Sequence, residues 1–267
     1  MPSLTLGPFT TAYDSFGQGP RTIVMVQGLG LDRSTWGPFG QMLSQQHRIV
    51  TFDARGAGQA SDTGDPFSTI DMAHDVIALC HALGLERPVL LGFSLGGCVA
   101  QHVAALAPEL LSGLVLWSTV AQPSARSAEL LAVWRDMVDS GVDRALLLRN
   151  QLLWASEDTF FAQEGALEAT INYVMALPNQ QPASGFVRQA NACITHDARV
   201  ACQSIRTPTA LFVGAQERVF SVPEVLALAQ LIPDATFRCL DFGGHNLWLE
   251  YPAEAAAAVT VFIDSLG

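Results

Sequence analysis

Residues 88–107 read PVLLGFSLGGCVAQHVAALA. The first six residues form an apolar run led by Pro88, which reads as a buried strand. The stretch from Leu95 to Leu106 is rich in Ala and apolar residues and reads as a helix. Between them lies Gly92-Phe93-Ser94-Leu95-Gly96, a G-x-S-x-G turn joining strand to helix. Such a turn is tight. Its two glycines lack the Cβ that would keep neighbouring backbone away, and it pushes the Ser94 hydroxyl out at the strand's C-terminal end. The Leu95 N–H then lies at a helix N-terminus, where positive partial charge collects. The competing reading is a plain glycine-rich strand–helix turn that cradles a phosphate.

Outward from this stretch, short apolar strands alternate with helical segments. Strands are expected at 22–26 (TIVMV), 48–52 (RIVTF), 113–119 (GLVLWST), 209–213 (TALFV) and 236–240 (TFRCL). Helices are expected at 69–83, 223–231 and 253–266, the first capped by Ser68 or Thr69 and ended by Gly84. Near-continuous apolar strands joined by helices imply a mostly parallel sheet with helices on both faces. Residues 4–15 are expected to add two antiparallel strands at one edge.

The alternation stops between 122 and 206. Helical patterns at 124–140, 142–154, 157–177 and 185–205, broken by Pro178 and Pro182, predict an all-helical lid over residues 122–205. The α/β core is then 1–121 and 206–267. Trp134, Trp154, Phe160, Phe161, Tyr173, Met175 and Phe186 are placed to line an apolar pocket under the lid, or simply to pack it onto the core.

Composition narrows the function. The chain has 267 residues, 49% hydrophobic and 15% charged, which suits a folded domain with a large core. Lys and Arg number 14 against 25 Asp and Glu, a formal charge of −11, with no basic cluster. Nucleic acid is therefore not an expected partner. An anionic substrate would need a local arginine. The five cysteines (Cys80, Cys98, Cys193, Cys202, Cys239) are scattered and odd in number, which argues against a disulfide framework or a zinc cluster. No signal-like or membrane-spanning run is visible, so a cytoplasmic location with no membrane partner is expected. The absence of G-x-G-x-x-G and P-loop patterns leaves no expectation of a cofactor or metal.

Five stretches carry a family resemblance: QGLGLDRSTWGPF (27–39), FDARGAGQASD (52–62), GFSLGGCVA (92–100), VGAQERVFSVPE (213–224) and GGHNLWLEYPAE (243–254). Their order and spacing resemble the α/β-hydrolase superfamily over nearly the whole chain, with lidded esterases and lactonases such as 3-oxoadipate enol-lactonase-like enzymes as the nearest likeness. The resemblance implies the α/β-hydrolase fold, with Ser94 as nucleophile and His245 as general base. The acid implied is Glu217, where the family usually has Asp. The alternative acid position, after strand 113–119, holds Val120-Ala-Gln-Pro123 and no carboxylate. The oxyanion donors implied are the N–H groups of Leu95 and Leu29.

One departure stands in the loop after TIVMV: Gln27 occupies the place of a customary His. Its amide can donate and accept, so it is expected to brace the loop. Gln27, Trp134 and Trp154 are the expected substrate-facing residues. Asp53 and Arg55 are expected to tie down a neighbouring loop, Arg55 having the alternative of meeting a substrate carboxylate. The implied activity is hydrolysis of an ester or lactone of a small, largely apolar molecule through an acyl-enzyme on Ser94. A C–C bond hydrolase or cofactor-free perhydrolase with the same residues, and a non-catalytic binding member of the fold, are the other readings.

Overall fold

A computed structural model describes residues 2–61, 63–177, 179 and 181–267. Among the described residues, eight strands form one sheet in the order β1-β2-β4-β3-β5-β6-β7-β8. They are β1 (Ser3–Leu6), β2 (Phe9–Phe16), β3 (Thr22–Val26), β4 (Arg48–Phe52), β5 (Val89–Phe93), β6 (Gly113–Trp117), β7 (Thr209–Gly214) and β8 (Thr236–Leu240). From β4 to β8 all pairings are parallel; β1 and β2 form the expected antiparallel edge.

The apolar strands are buried on both faces. In β3, Val24 and Val26 join one core while Ile23 and Met25 join the other. The first core packs under α2 (Thr69–Ala82), α3 (Leu95–Leu106) and α10 (Val222–Leu231). The second packs under α1 (Gly37–Leu43), α11 (Leu247–Glu250) and α12 (Pro252–Asp264). Ser68 caps α2 through a reciprocal pair of bonds with Asp71. Four cysteines are buried in this fabric, Cys239 is exposed on edge strand β8, and all five are free.

Between β6 and β7 every regular element among the described residues is a helix: α4 (Ala125–Asp139), α5 (Arg144–Ala155), α6 (Asp158–Ala162), α7 (Ala166–Met175), α8 (Ala183–Ile194) and α9 (Arg199–Cys202). Two expected helices are each split. The 157–177 pattern breaks at Gly165, whose φ of 75° is left-handed and starts α7 afresh. The 185–205 pattern breaks at 195–198, where His196 turns inward and its Nδ1 pairs with Thr69 Oγ1 at 2.9 Å. Pro182 occupies the position just before α8; Pro178 lies outside the described residues. A 3₁₀ turn at Arg33–Trp36 and α1 were not legible as elements, because two glycines and a proline interrupt any helical pattern there. Among the described residues, no helix is long and apolar enough to cross a membrane.

Candidate active site

The C-terminal ends of the parallel strands converge on Ser94. It follows β5 directly and has φ 53°, ψ −119°, a left-handed conformation rare for a residue with a side chain. The strain is held by neighbours. Ser94 N–H donates to Trp117 O on β6 (2.9 Å), and Thr119 Oγ1 donates to Ser94 O (2.8 Å). A Cβ on Gly96 would lie 2.1 Å from Val26 O, so α3 can start this close to β3 only with glycine there.

His245 sits in the loop after β8, its ring 4.9 Å from that of Phe93 and 5.8 Å from that of Phe220. Its Nε2 is 3.0 Å from Ser94 Oγ, and its Nδ1 is 2.8 Å from Glu217 Oε2. Glu217 leaves the end of β7. Its side chain is fully buried; Oε1 accepts from Val219 N–H (2.8 Å) and Phe220 N–H (3.1 Å). These donors fix the carboxylate in the plane that meets Nδ1. Three residues far apart in sequence thus form one continuous chain of hydrogen bonds, with Ser94 and His245 both nearly buried.

The loop after β3 closes the other side. A Cβ on Gly28 would lie 3.2 Å from Ser94 Cβ and 2.9 Å from the Phe93 ring, so the following Leu29 backbone runs beside the serine. Leu95, as first residue of α3, has an N–H with no carbonyl acceptor one turn back in the helix. Asp53 anchors this loop: it accepts from Arg33 N–H (2.9 Å) and Gln59 N–H (2.8 Å), and pairs with the Arg33 guanidinium. Arg55 is held by both oxygens of Asp75 at 2.6 Å and lies over the Phe9 and Phe67 rings. Its guanidinium is thereby committed to the protein. Gln27 is buried, but neither amide atom has a hydrogen-bond partner among the described residues; the brace on this loop comes from Asp53 instead.

Sequence reasoning did not find the support of the His245 loop. Gly243 N–H donates to Glu157 Oε2 (2.7 Å), Gly244 N–H to Glu250 Oε2 (2.8 Å), and Asn246 N–H to Ala155 O (3.0 Å). The end of α5 therefore grips the loop from the insertion side. Burial opposes the charge on Glu157, but hydrogen bonds from Thr159, Tyr251 and Gly243 outweigh it and hold its carboxyl below the usual range. Burial pushes the Glu250 carboxyl up. Glu250 belongs to the quoted GGHNLWLEYPAE stretch, which was a usable signal; Glu157 carries none.

Two adjoining cavities, of about 310 and 540 Å³, lie between this loop and the insertion. Leu29 and Asn246, the neighbours of the serine and histidine loops, line the first. Phe186 also lines it, and Phe160 and Tyr173 line the second. Trp134 and Trp154 line neither. Trp134 is packed in the core and donates from Nε1 to Asn150 (2.9 Å), and Trp154 lies beneath Arg126. Among the described residues, no group of three His, Cys, Asp or Glu side chains is placed to hold a metal ion.

A family model described as the alpha/beta hydrolase fold matches residues 21–252. A relative named "Putative carbamate hydrolase RutD" from Pseudomonas savastanoi pv. phaseolicola is 28% identical over 225 residues, 84% of this chain and 86% of its own length. Pyrrolizixenacetamide deacetylase of Xenorhabdus hominickii is 27% identical over 267 residues, 98% of each chain. Among solved structures, the enol-lactonase from Burkholderia xenovorans LB400 superposes with a TM-score of 0.87 at 22% identity, covering 98% of this chain and all of that one.

Proposed function

The chain belongs to the α/β-hydrolase fold family, and on that premise we propose that it is a serine hydrolase cleaving a carboxylic ester or lactone through an acyl-enzyme on Ser94. One observation carries the reading: the unbroken hydrogen-bond chain Ser94–His245–Glu217 beside an apolar cavity.

His245 Nε2 takes the Ser94 proton as Oγ attacks the substrate carbonyl carbon. Glu217 accepts the Nδ1 proton's hydrogen bond, so the ring keeps the tautomer whose Nε2 is free to act as base. The tetrahedral oxyanion meets the N–H groups of Leu95 and Leu29, each donor contributing about 3 kcal/mol to transition-state stabilisation. His245 then returns the proton to the leaving alcohol, which in a lactone stays tethered to the acyl group. Water, deprotonated by His245, attacks the acyl-serine and releases the acid and Ser94. The helical insertion acts as a lid over this chemistry, and its apolar lining favours a largely apolar small molecule. A second reading, cleavage of a carbamate or amide by the same groups with an amine leaving, is supported by the names of the two relatives.

The test is intact-mass analysis after treatment with a fluorophosphonate, which needs an activated serine but not the natural substrate. One adduct on the wild-type chain and none on Ser94→Ala is the expected result. An unlabelled, folded wild type, or equal labelling of the variant, would overturn the proposal.

A further inference from the structure

Arg144, in the first turn of α5, lines both cavities and is the one charged residue among the described residues lining the first. The compartments adjoin through it, Gln181 and the Gly30–Leu31 backbone. It is half-buried, and its only hydrogen bond among the described residues runs from Nη1 to Gln181 O at a long 3.4 Å. No carboxylate among them lies within ion-pair reach.

The acids of the second cavity are already engaged. Asp32 caps the 3₁₀ turn by accepting from Ser34 N–H (2.8 Å), and Glu250 accepts from Glu157 N–H and Gly244 N–H, each at 2.8 Å. Burial alone pushes the Arg144 guanidinium down from its ordinary value, with no acid opposing it. The group still stays cationic at any physiological pH. A half-buried cation that faces a largely apolar chamber and is paired with no acid is poorly compensated in the empty protein. A ligand carboxylate offsets that cost through a bidentate pair, the geometry guanidinium suits best. The other arginine considered from sequence, Arg55, has spent its donors on Asp75.

We propose that Arg144 is an anion subsite of the substrate cavity, so that the preferred substrate carries, besides the acyl bond cut at Ser94, a carboxylate joined to it by an apolar chain. The assignment rests on the serine-hydrolase reading for the cleaved bond, but not for the binding of the anion.

Half-esters of dicarboxylic acids test it. Monomethyl suberate has the anion, and dimethyl suberate is its neutral match. Both are titrated calorimetrically into the Ser94→Ala protein, which cannot turn them over, and into the same protein carrying Arg144→Met or Arg144→Lys. The half-ester should bind about 10- to 100-fold more tightly than the diester when Arg144 is present. Methionine should level the two, and lysine should keep part of the preference. Equal binding with Arg144 present, no measurable binding of the half-ester, or a preference that survives Arg144→Met would overturn the subsite. Thermal unfolding verifies that each variant is folded, and the lysine variant decides the case if methionine is not tolerated. Fluorophosphonate labelling of Ser94 separates the two ideas. Labelling without anion preference removes the subsite alone, whereas anion preference without labelling removes the hydrolase reading alone.

Discussion

Replacing Glu217 by glutamine alters one charge and almost no volume, yet it should abolish most activity, and the surrounding donors say why. Glu217 Oε1 already receives Val219 N–H and Phe220 N–H. In the glutamine variant only the amide oxygen can occupy that place, because an NH₂ group there would face two donors. The NH₂ must then take the Oε2 position, 2.8 Å from His245 Nδ1. Nδ1 then meets an NH₂ group at the nearer contact, while the amide oxygen, 3.0 Å away, is already shared by two backbone donors. This favours the tautomer in which Nδ1 accepts and the ring proton sits on Nε2, which faces Ser94 Oγ at 3.0 Å. An Nε2 that bears a proton cannot take the serine's.

The expected loss in kcat/KM is about 10⁴-fold, equivalent to about 5 kcal/mol of transition-state stabilisation. The fold should survive, since the hydrogen-bond count around the residue is nearly unchanged. The assay is hydrolysis of a p-nitrophenyl ester beside the rate of fluorophosphonate labelling, because both need the same deprotonation of Ser94. Activity within about tenfold of wild type in a folded Glu217→Gln protein would refute the reasoning and move the acid elsewhere.

Two further outcomes follow from other parts of the molecule. Gly28→Ala puts a methyl 2.9 Å from the Phe93 ring, which is wedged against Trp36 and Trp248, so the Leu29 backbone must shift; kcat should fall about 100-fold, and unchanged kcat with intact folding would show that the Leu29 N–H is not an oxyanion donor. His102, buried in α3 with the His196 ring 5.2 Å away, has its pKa lowered to about 4 by burial first and by His196 second, with Cys98 and Asp197 opposing. The unfolded chain therefore binds the extra proton between about pH 6.5 and 4, so this group's contribution to stability is full at neutral pH and falls by about 3 kcal/mol as pH drops through that window. Thermal unfolding of wild type and His102→Gln at pH 7 and pH 4 should show the smaller acid loss in the variant; identical losses would contradict the assignment. The comparison between the two proteins cancels the opposite-signed contributions of buried acids such as Asp53 and Asp75, whose carboxyls burial pushes up.

What the linear chain determined by itself is whatever a few consecutive residues dictate. A run such as TIVMV is buried on both faces wherever it pairs, so β3 and β4 lie where the pattern put them. The strand–turn–helix at Ser94 is likewise local, since glycines at 92 and 96 are what its backbone approach requires. Ser94 stood out by its strand–turn–helix alone, whereas His245 and Glu217 were implied by the family resemblance of their stretches; the fold brings the three within hydrogen-bond reach.

The rest depends on which distant segments touch. Trp134 and Trp154 looked like pocket residues by composition, but the turn of each helix decided that neither faces the cavities. The same packing sent Arg144 into the cavity wall. Gly165 split a helix that periodicity alone would have continued. The grip of Glu157 on Gly243 spans 86 residues, and no local pattern signals such a bond. Only the folded chain brings its donor and acceptor together in a site where burial makes leaving either unpaired costly.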